Sequence, residues 1–223
     1  FISCKGDKGD TGPTGPAGES KDYVITVFQQ DISPYPYAGA TDSYVNSAYP
    51  TTSYGGATFL LTGLYYGDKR RILLRFNLDN YDLDNVIIEE AKLVLTIDKN
   101  APPLSDYGGI TLNVFALSEF WDENAVTWNN RTSGNSWTIP GGFYTMTYNN
   151  QSVYIPDTQR GEVTFNLDTD MVTDWCRNSA SNNGIILIPS DEAQTGINWI
   201  RFYSSEYNLS LIHISEPTRP LYI

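Results

Sequence analysis

From Tyr23 onward, apolar and polar residues alternate in short runs. Between Arg70 and Leu78, Ile72, Leu74, Phe76 and Leu78 fall on one parity, and Arg71, Leu73, Arg75 and Asn77 on the other. Successive side chains of an extended chain point to opposite faces, so a period of two predicts a half-buried strand. The same rhythm carries Ala91, Leu93, Leu95 and Ile97, then Ile110, Leu112, Val114 and Ala116, then Val163, Phe165 and Leu167. Tyr23–Phe28 is the first readable strand and Trp199–Tyr203 the last. Gly184–Ile188 is apolar without interruption, which predicts a strand buried on both faces. Clusters of Gly, Asn, Asp and Pro separate these runs as turns.

One segment changes period. Asp168 or Thr169 can cap a helix N-terminus, Asp170 suits its positive end, and Met171, Val172, Trp175 and Cys176 make one apolar stripe. Asn178–Gly184 then ends the helix. Roughly eight to ten strands and one short helix over residues 23–208 predict an all-β fold. The expected architecture is a jelly-roll-type β-sandwich forming one domain.

Residues 1–20 follow a different rule. Gly6, Gly9, Gly12, Gly15 and Gly18 stand at every third position, with Pro13 and Pro16 after two of them. Strict glycine every third residue is what a collagen triple helix requires, because only glycine fits at its axis. A flexible Gly/Pro linker would not need that phase. The segment reads as the end of a collagen-like stalk and implies a homotrimer, in which Lys5, Asp7, Lys8 and Asp10 would supply charge pairs between chains and Cys4 could cross-link them.

The other end reads differently again. Leu209–Arg219, LSLIHISEPTR, reads like the frame-for-frame translation of a sequencing adapter, so residues 209–223 are expected to be a non-native tail and are set aside. A sandwich of this kind would be expected to continue at Leu209 into a closing strand. Either a sheet edge is left open there, or Leu209, Leu211, Ile212 and Ile214 fill the gap.

Charge and composition narrow the function. The 223 residues hold 26 Asp+Glu against 14 Lys+Arg, a net charge of −12. That argues against nucleic-acid binding and against docking on anionic lipid. No apolar run is long enough to span a membrane as a helix. The single histidine, His213, lies in the tail, which removes Ser–His–Asp and Cys–His nucleophiles and histidine zinc sites from the domain. Carboxylate neighbours such as Asp122/Glu123 and Glu89/Glu90 point to opposite faces on a strand, whereas a glycosidase needs two carboxyls facing one cleft. A lyase with a tyrosine base and a cation neutralising a uronate stays open as an alternative.

The scarce cations are the candidate binding residues. On a strand, Lys69, Arg71 and Arg75 share a face and span about 20 Å. Guanidinium groups grip carboxylates bidentately, so this row could read uronates of an acidic glycan, although pairing with the protein's own acids is the commoner fate. Tyr65, with Tyr66 beside it, could stack on a sugar ring. Trp121 and Trp128 could do the same, but such tryptophans more often fill a core. Asp79, Asp82 and Asp84 offer hard oxygen ligands for Ca²⁺ without the spacing of an EF-hand, so no cofactor is required. Cys176 reads as apolar packing.

Six phrases in order carry a resemblance: FQQDISPYPYAGATDSYV (28–45), PTTSYGGATFLLTG (50–63), GDKRRILLRFNL (67–78), LSEFWDENAVTWNN (117–130), NNGIILI (182–188) and FYSSEY (202–207). Together they resemble the DNRLRE domain, also classified as a family-96 carbohydrate-binding module and related to disaggregatase repeats. The resemblance covers about residues 23–208. It implies an extracellular, non-catalytic β-sandwich with alginate-like acidic polysaccharide as one ligand class. Joined to the glycine triplets, it gives a trimeric stalked head on a cell or virion surface that binds a polysaccharide. The alternative is a structural trimer tip of a phage fibre or a spore or cell-surface filament.

Overall fold

The computed structural model describes residues 24–29, 39–78, 86–149, 151–207 and 213–220. The glycine triplets, Cys4 and the Asp79, Asp82 and Asp84 cluster lie outside the described residues. Among the described residues, sixteen strands run in the order β1 (Val24–Gln29), β2 (Ala40–Asn46), β3 (Phe59–Tyr65), β4 (Asp68–Phe76), β5 (Val86–Ile88), β6 (Ala91–Thr96), β7 (Leu104–Ser105) and β8 (Gly109–Leu117). They continue with β9 (Asn130–Thr132), β10 (Asn135–Ser136), β11 (Tyr144–Thr145), β12 (Ser152–Pro156), β13 (Glu162–Leu167), β14 (Ile185–Pro189), β15 (Ile197–Tyr203) and β16 (His213–Pro220). One α-helix, α1 (Thr169–Arg177), follows β13.

The strands form two main curled antiparallel sheets, an all-β sandwich. The smaller orders β1-β16-β6-β13, with β5 also on β16. The larger orders β11-β8-β14-β4-β3-β15-β7, with β12 on β8 and β2 on β4. The strand count exceeds the alternation-based expectation because β7, β9, β10 and β11 have only two or three residues, too few to show a period. β2 escaped the pattern for another reason: it buries Asp42, Ser43 and Asn46, so its polar positions are not its exposed ones.

The alternating positions meet in one core. Ile72, Leu74 and Phe76 of β4 pack with Leu93 and Leu95 of β6, Leu112 and Val114 of β8, and Val163 and Phe165 of β13. Helix α1 closes one end with Met171, Val172 and Trp175, and Cys176 packs partly buried beside them. Asp168 is its N-cap, accepting from the backbone N–H groups of Asp170 and Met171 at 2.9 and 3.0 Å.

A second apolar cluster covers the opposite face of the larger sheet. Leu73 of β4, Phe115 of β8 and Ile186 and Ile188 of β14 meet Trp121, Val126 and Trp137 from the segment after β8. Strand β14 is therefore buried at every position, as its unbroken apolar run predicts. Trp121 and Trp137 satisfy their indole N–H groups on the carbonyls of Asn183 and Thr127, both at 3.0 Å.

At the far end the sheet curls as β15 crosses β3. A Cβ on Gly63 would stand 2.2 Å from the Asn198 carbonyl oxygen, and its φ is 124°, so this crossing admits only glycine.

Residues 213–220, part of the segment read as adapter-derived, form β16 between β1 and β6. Its register pairs Ile214 with Phe28 on one side and Leu93 on the other. This is the place where a closing strand is needed, since without it β1 and β6 would each present an unpaired edge. Deleting residues 209–223 is expected to lower the thermal unfolding temperature and raise aggregation. Circular dichroism melts and light scattering check this, and an unchanged melt would show that β16 contributes no pairing.

Candidate functional site

The β3–β4 hairpin turns at Tyr66 and Gly67, both with positive φ (51° and 91°), the left-handed pair of a type I′ turn. That conformation suits Asn, Asp or Gly; a tyrosine there is strained. The turn places Tyr65, 42% exposed, with Tyr66 edge-on to it at 4.8 Å between ring centres. Tyr65 stands on the rim of a cleft of about 370 Å³. Tyr44 and Asn46 of β2, Tyr49 and Tyr54 of the following loop, Phe59 and Leu61 of β3, Arg70 of β4, and Trp199 and Arg201 of β15 complete its lining.

The cleft has an aromatic floor. Tyr44 stacks on Tyr54 at 4.2 Å and on Phe59 at 5.9 Å. Burial first pushes the Tyr44 hydroxyl up to about 12 and moves Tyr54 in the same direction, so both phenols are protonated at neutral pH. Two guanidinium groups line the same space. Arg201 is held by Asp98 at 2.7 Å and lies over Phe59 at 4.8 Å. Arg70 lies over Tyr65 at 5.4 Å, and among the described residues no carboxylate makes an ion pair with it. Among the described residues its buried Nε, like that of Arg201, has no acceptor.

The cationic row of β4 is divided. Lys69, Arg71 and Arg75 do share a parity, but they do not form one exposed strip. Arg71 is 8% exposed and grips Glu192 bidentately, Nε to Oε1 at 2.8 Å and Nη2 to Oε2 at 2.7 Å. Its Nη1 donates to the Gly141 carbonyl at 3.0 Å, and its plane lies 5.0 Å from the Trp128 ring centre. Lys69 reaches the same Glu192 at 3.6 Å. Arg75 stands over the exposed Phe120 at 4.6 Å, further along the strand. The structure therefore brings Tyr65 together with Arg70, and takes Arg71 into the protein's own packing.

Arg75 and Phe120 line a second, wider groove of about 660 Å³ with Asn77, Glu123, Asn182 and Asn183. Its lining is largely polar and includes the carboxylate of Glu123, which repels an anionic sugar. The cleft at Tyr65 is the better match for a glycan because it offers apolar ring faces beside an unpaired guanidinium. Arg70, Tyr49 and Trp199 were not singled out from the sequence. Arg70 belongs to the same basic run, but its parity matches that of the core residues Ile72 and Leu74, which reads as burial rather than binding.

Replacing Arg71 with Ala leaves the partly buried Glu192 with only Lys69, 3.6 Å away, and leaves the Gly141 carbonyl unmatched. Urea unfolding is expected to show a loss of about 3 kcal/mol. A loss near zero would mean that the pair is solvated and Arg71 available to a ligand.

A family model for carbohydrate-binding module family 96 matches residues 34–209. Among curated proteins, none matches the chain.

Proposed function

Because the chain belongs to carbohydrate-binding module family 96, a family whose modules bind carbohydrate, we propose that it is a non-catalytic glycan-binding head whose site is the cleft of Tyr65, Tyr49, Trp199 and Arg70. The observation that carries this reading is the pairing, in one cleft, of the exposed rings of Tyr49 and Tyr65 with the Arg70 guanidinium, which makes no ion pair among the described residues. Aromatic rings present flat apolar surface to the C–H faces of a pyranose. A guanidinium binds a carboxylate through charge-assisted hydrogen bonds. The ligand class that uses both is an acidic polysaccharide of the alginate type.

The direction of the tyrosine shifts supports binding over lyase chemistry. Tyr44, Tyr54, Tyr148 and Tyr203 all have their hydroxyls pushed upward, burial first in each case. A tyrosine base needs the opposite shift. No helix of the described residues is long and apolar enough to cross a membrane.

The glycine triplets at residues 6–18 extend the proposal to a homotrimer displayed outside the cell, on a cell or virion surface. Light scattering of the full chain is expected to give three times the 24.9 kDa chain mass. A monomer at all concentrations would remove the stalk from the proposal.

Affinity electrophoresis tests the site. In gels containing alginate, pectin or a neutral glucan at physiological salt, the protein is expected to be retarded by the acidic polysaccharides alone. Arg70→Ala with Tyr65→Ala is expected to weaken that retardation by about tenfold or more, as loss of one charge-assisted hydrogen bond requires. Retardation unchanged in the double variant would move the site elsewhere. Equal mobility of the folded wild type in every gel would reject the lectin reading in favour of a structural trimer tip.

A further inference from the structure

Three carboxylates distant in sequence converge around β2. Asp42 comes from β2, Glu123 from the loop after β8, and Glu206 from the turn after β15. One oxygen from each lies within 4.8 Å of the others. Asp42 is only 1% exposed. Its Oδ2 accepts the Ser205 backbone N–H at 2.7 Å, while its buried Oδ1 has no donor among the described residues. Its backbone N–H donates to Glu123 Oε1 at 2.8 Å. Glu206 is exposed and accepts from the Ser205 hydroxyl at 3.2 Å.

Three like charges at this spacing repel one another, most strongly at the buried member. Burial first, and then the charge of Glu206, push the Asp42 carboxyl up to about 8. Glu123 is also raised, chiefly by burial, with Arg75 acting in the opposite direction. Such an arrangement persists when something positive occupies its centre.

We propose that Asp42, Glu123 and Glu206 form a calcium site that pins the Trp121–Trp128 loop to β2 and to the chain after β15. The chemistry selects the ion. The donors are hard carboxylate oxygens, with no histidine or cysteine among them. Three protein carboxylates with oxygens within 4.8 Å of one another suit Ca²⁺, which takes six to eight oxygens in flexible geometry, better than Mg²⁺, which sheds its waters reluctantly and takes only one or two carboxylates. Water completes the shell on the side of Glu206. The site is separate from the aromatic cleft and stands whether or not that cleft binds a glycan.

The full chain, stripped with EDTA and dialysed, is titrated with CaCl₂ in a calorimeter and melted in millimolar Ca²⁺, millimolar Mg²⁺ and EDTA. Saturable Ca²⁺ binding at one site per chain is expected, with Tm raised by about 5 °C at an ion concentration a hundred times Kd, and a smaller shift with Mg²⁺. Glu206→Gln changes an exposed side chain, so the fold is kept while Ca²⁺ affinity falls at least tenfold. Asp42→Asn is expected to lose the Ca²⁺ shift but to melt no lower than the wild type in EDTA, because the neutral amide keeps an acceptor for the Ser205 N–H and adds no buried charge. Identical melts of the wild type in Ca²⁺ and EDTA overturn the proposal. So does a Ca²⁺ shift of wild-type size in both variants, which would place the ion elsewhere.

Discussion

The larger sheet has two apolar faces, and both must be kept from water. Strand β4 shows the constraint within nine residues: Ile72, Leu74 and Phe76 enter the core between the sheets, and Leu73 enters the outer cluster. An outer face of Leu73, Phe115, Ile186 and Ile188 could not stay exposed without inviting association. The segment from Phe120 to Gly142 is therefore a cover rather than a free loop. Trp121, Val126 and Trp137 fill it, and Arg71 closes its margin by bonding Glu192 and the Gly141 carbonyl. The W-D-E-x-x-V-T-W phrase is explained residue by residue on these terms. Trp121 and Val126 pack, Asp122 accepts the N–H groups of Asn124 and Ala125, Glu123 clips β2, and Trp128 lies on Arg71.

The cleft lies on the other, inner face of the larger sheet, where register sets Tyr44 opposite Ile72 and Asn46 opposite Arg70. There the sheet curls through β3 and β15, held close by Gly63, and Tyr65 stands exposed at the rim. The basic residues of β4 are thus sorted by what lies over each one. Arg71 lies under the cover and is consumed by it, while Arg70, one residue away and of opposite parity, opens into the cleft. The strained Tyr66 sits at this same rim, where its ring braces Tyr65. A turn residue with a more favourable backbone would supply no such ring, which is a reason for the strain to persist.

These divisions explain what could be read from the chain. The alternation of Ile72-Leu74-Phe76, of Leu93-Leu95-Ile97 and of Val163-Phe165-Leu167 predicts the core correctly, because a period of two is a local property of the backbone. The helix cap at Asp168 and the doubly buried β14 are local as well. The partner of Arg71 is 121 residues away, and no periodicity reports it. The cleft draws on β2, the Tyr49–Tyr54 loop, β3, β4 and β15, and the acidic trio spans positions 42, 123 and 206. In both sites each residue looks unremarkable in its own segment, and only the fold gives it neighbours. Even the parity of Arg70 argued for burial, since the core face of β4 and the floor of the cleft are the same face before and after the sheet curls.

A net charge of −12 sets a further condition on any acidic ligand. At a distance, protein and polyanion repel, but at physiological ionic strength that repulsion is screened beyond about 8 Å. Attraction to the proposed ligand would then come from contacts inside the cleft, where Arg70 would meet a carboxylate at close range beside the aromatic rings. Such a site gains little from electrostatic steering, so its single-site affinity rests on slow dissociation rather than fast encounter. One cleft of about 370 Å³ holds only a short stretch of a polysaccharide. Repetition of the head in a trimer would answer that limit, because a second and third contact on the same chain are made at high effective concentration without any new kind of interaction. The glycine-repeat segment and the modest cleft thus fit one physical scheme, in which weak, short-range recognition is made strong by being presented more than once.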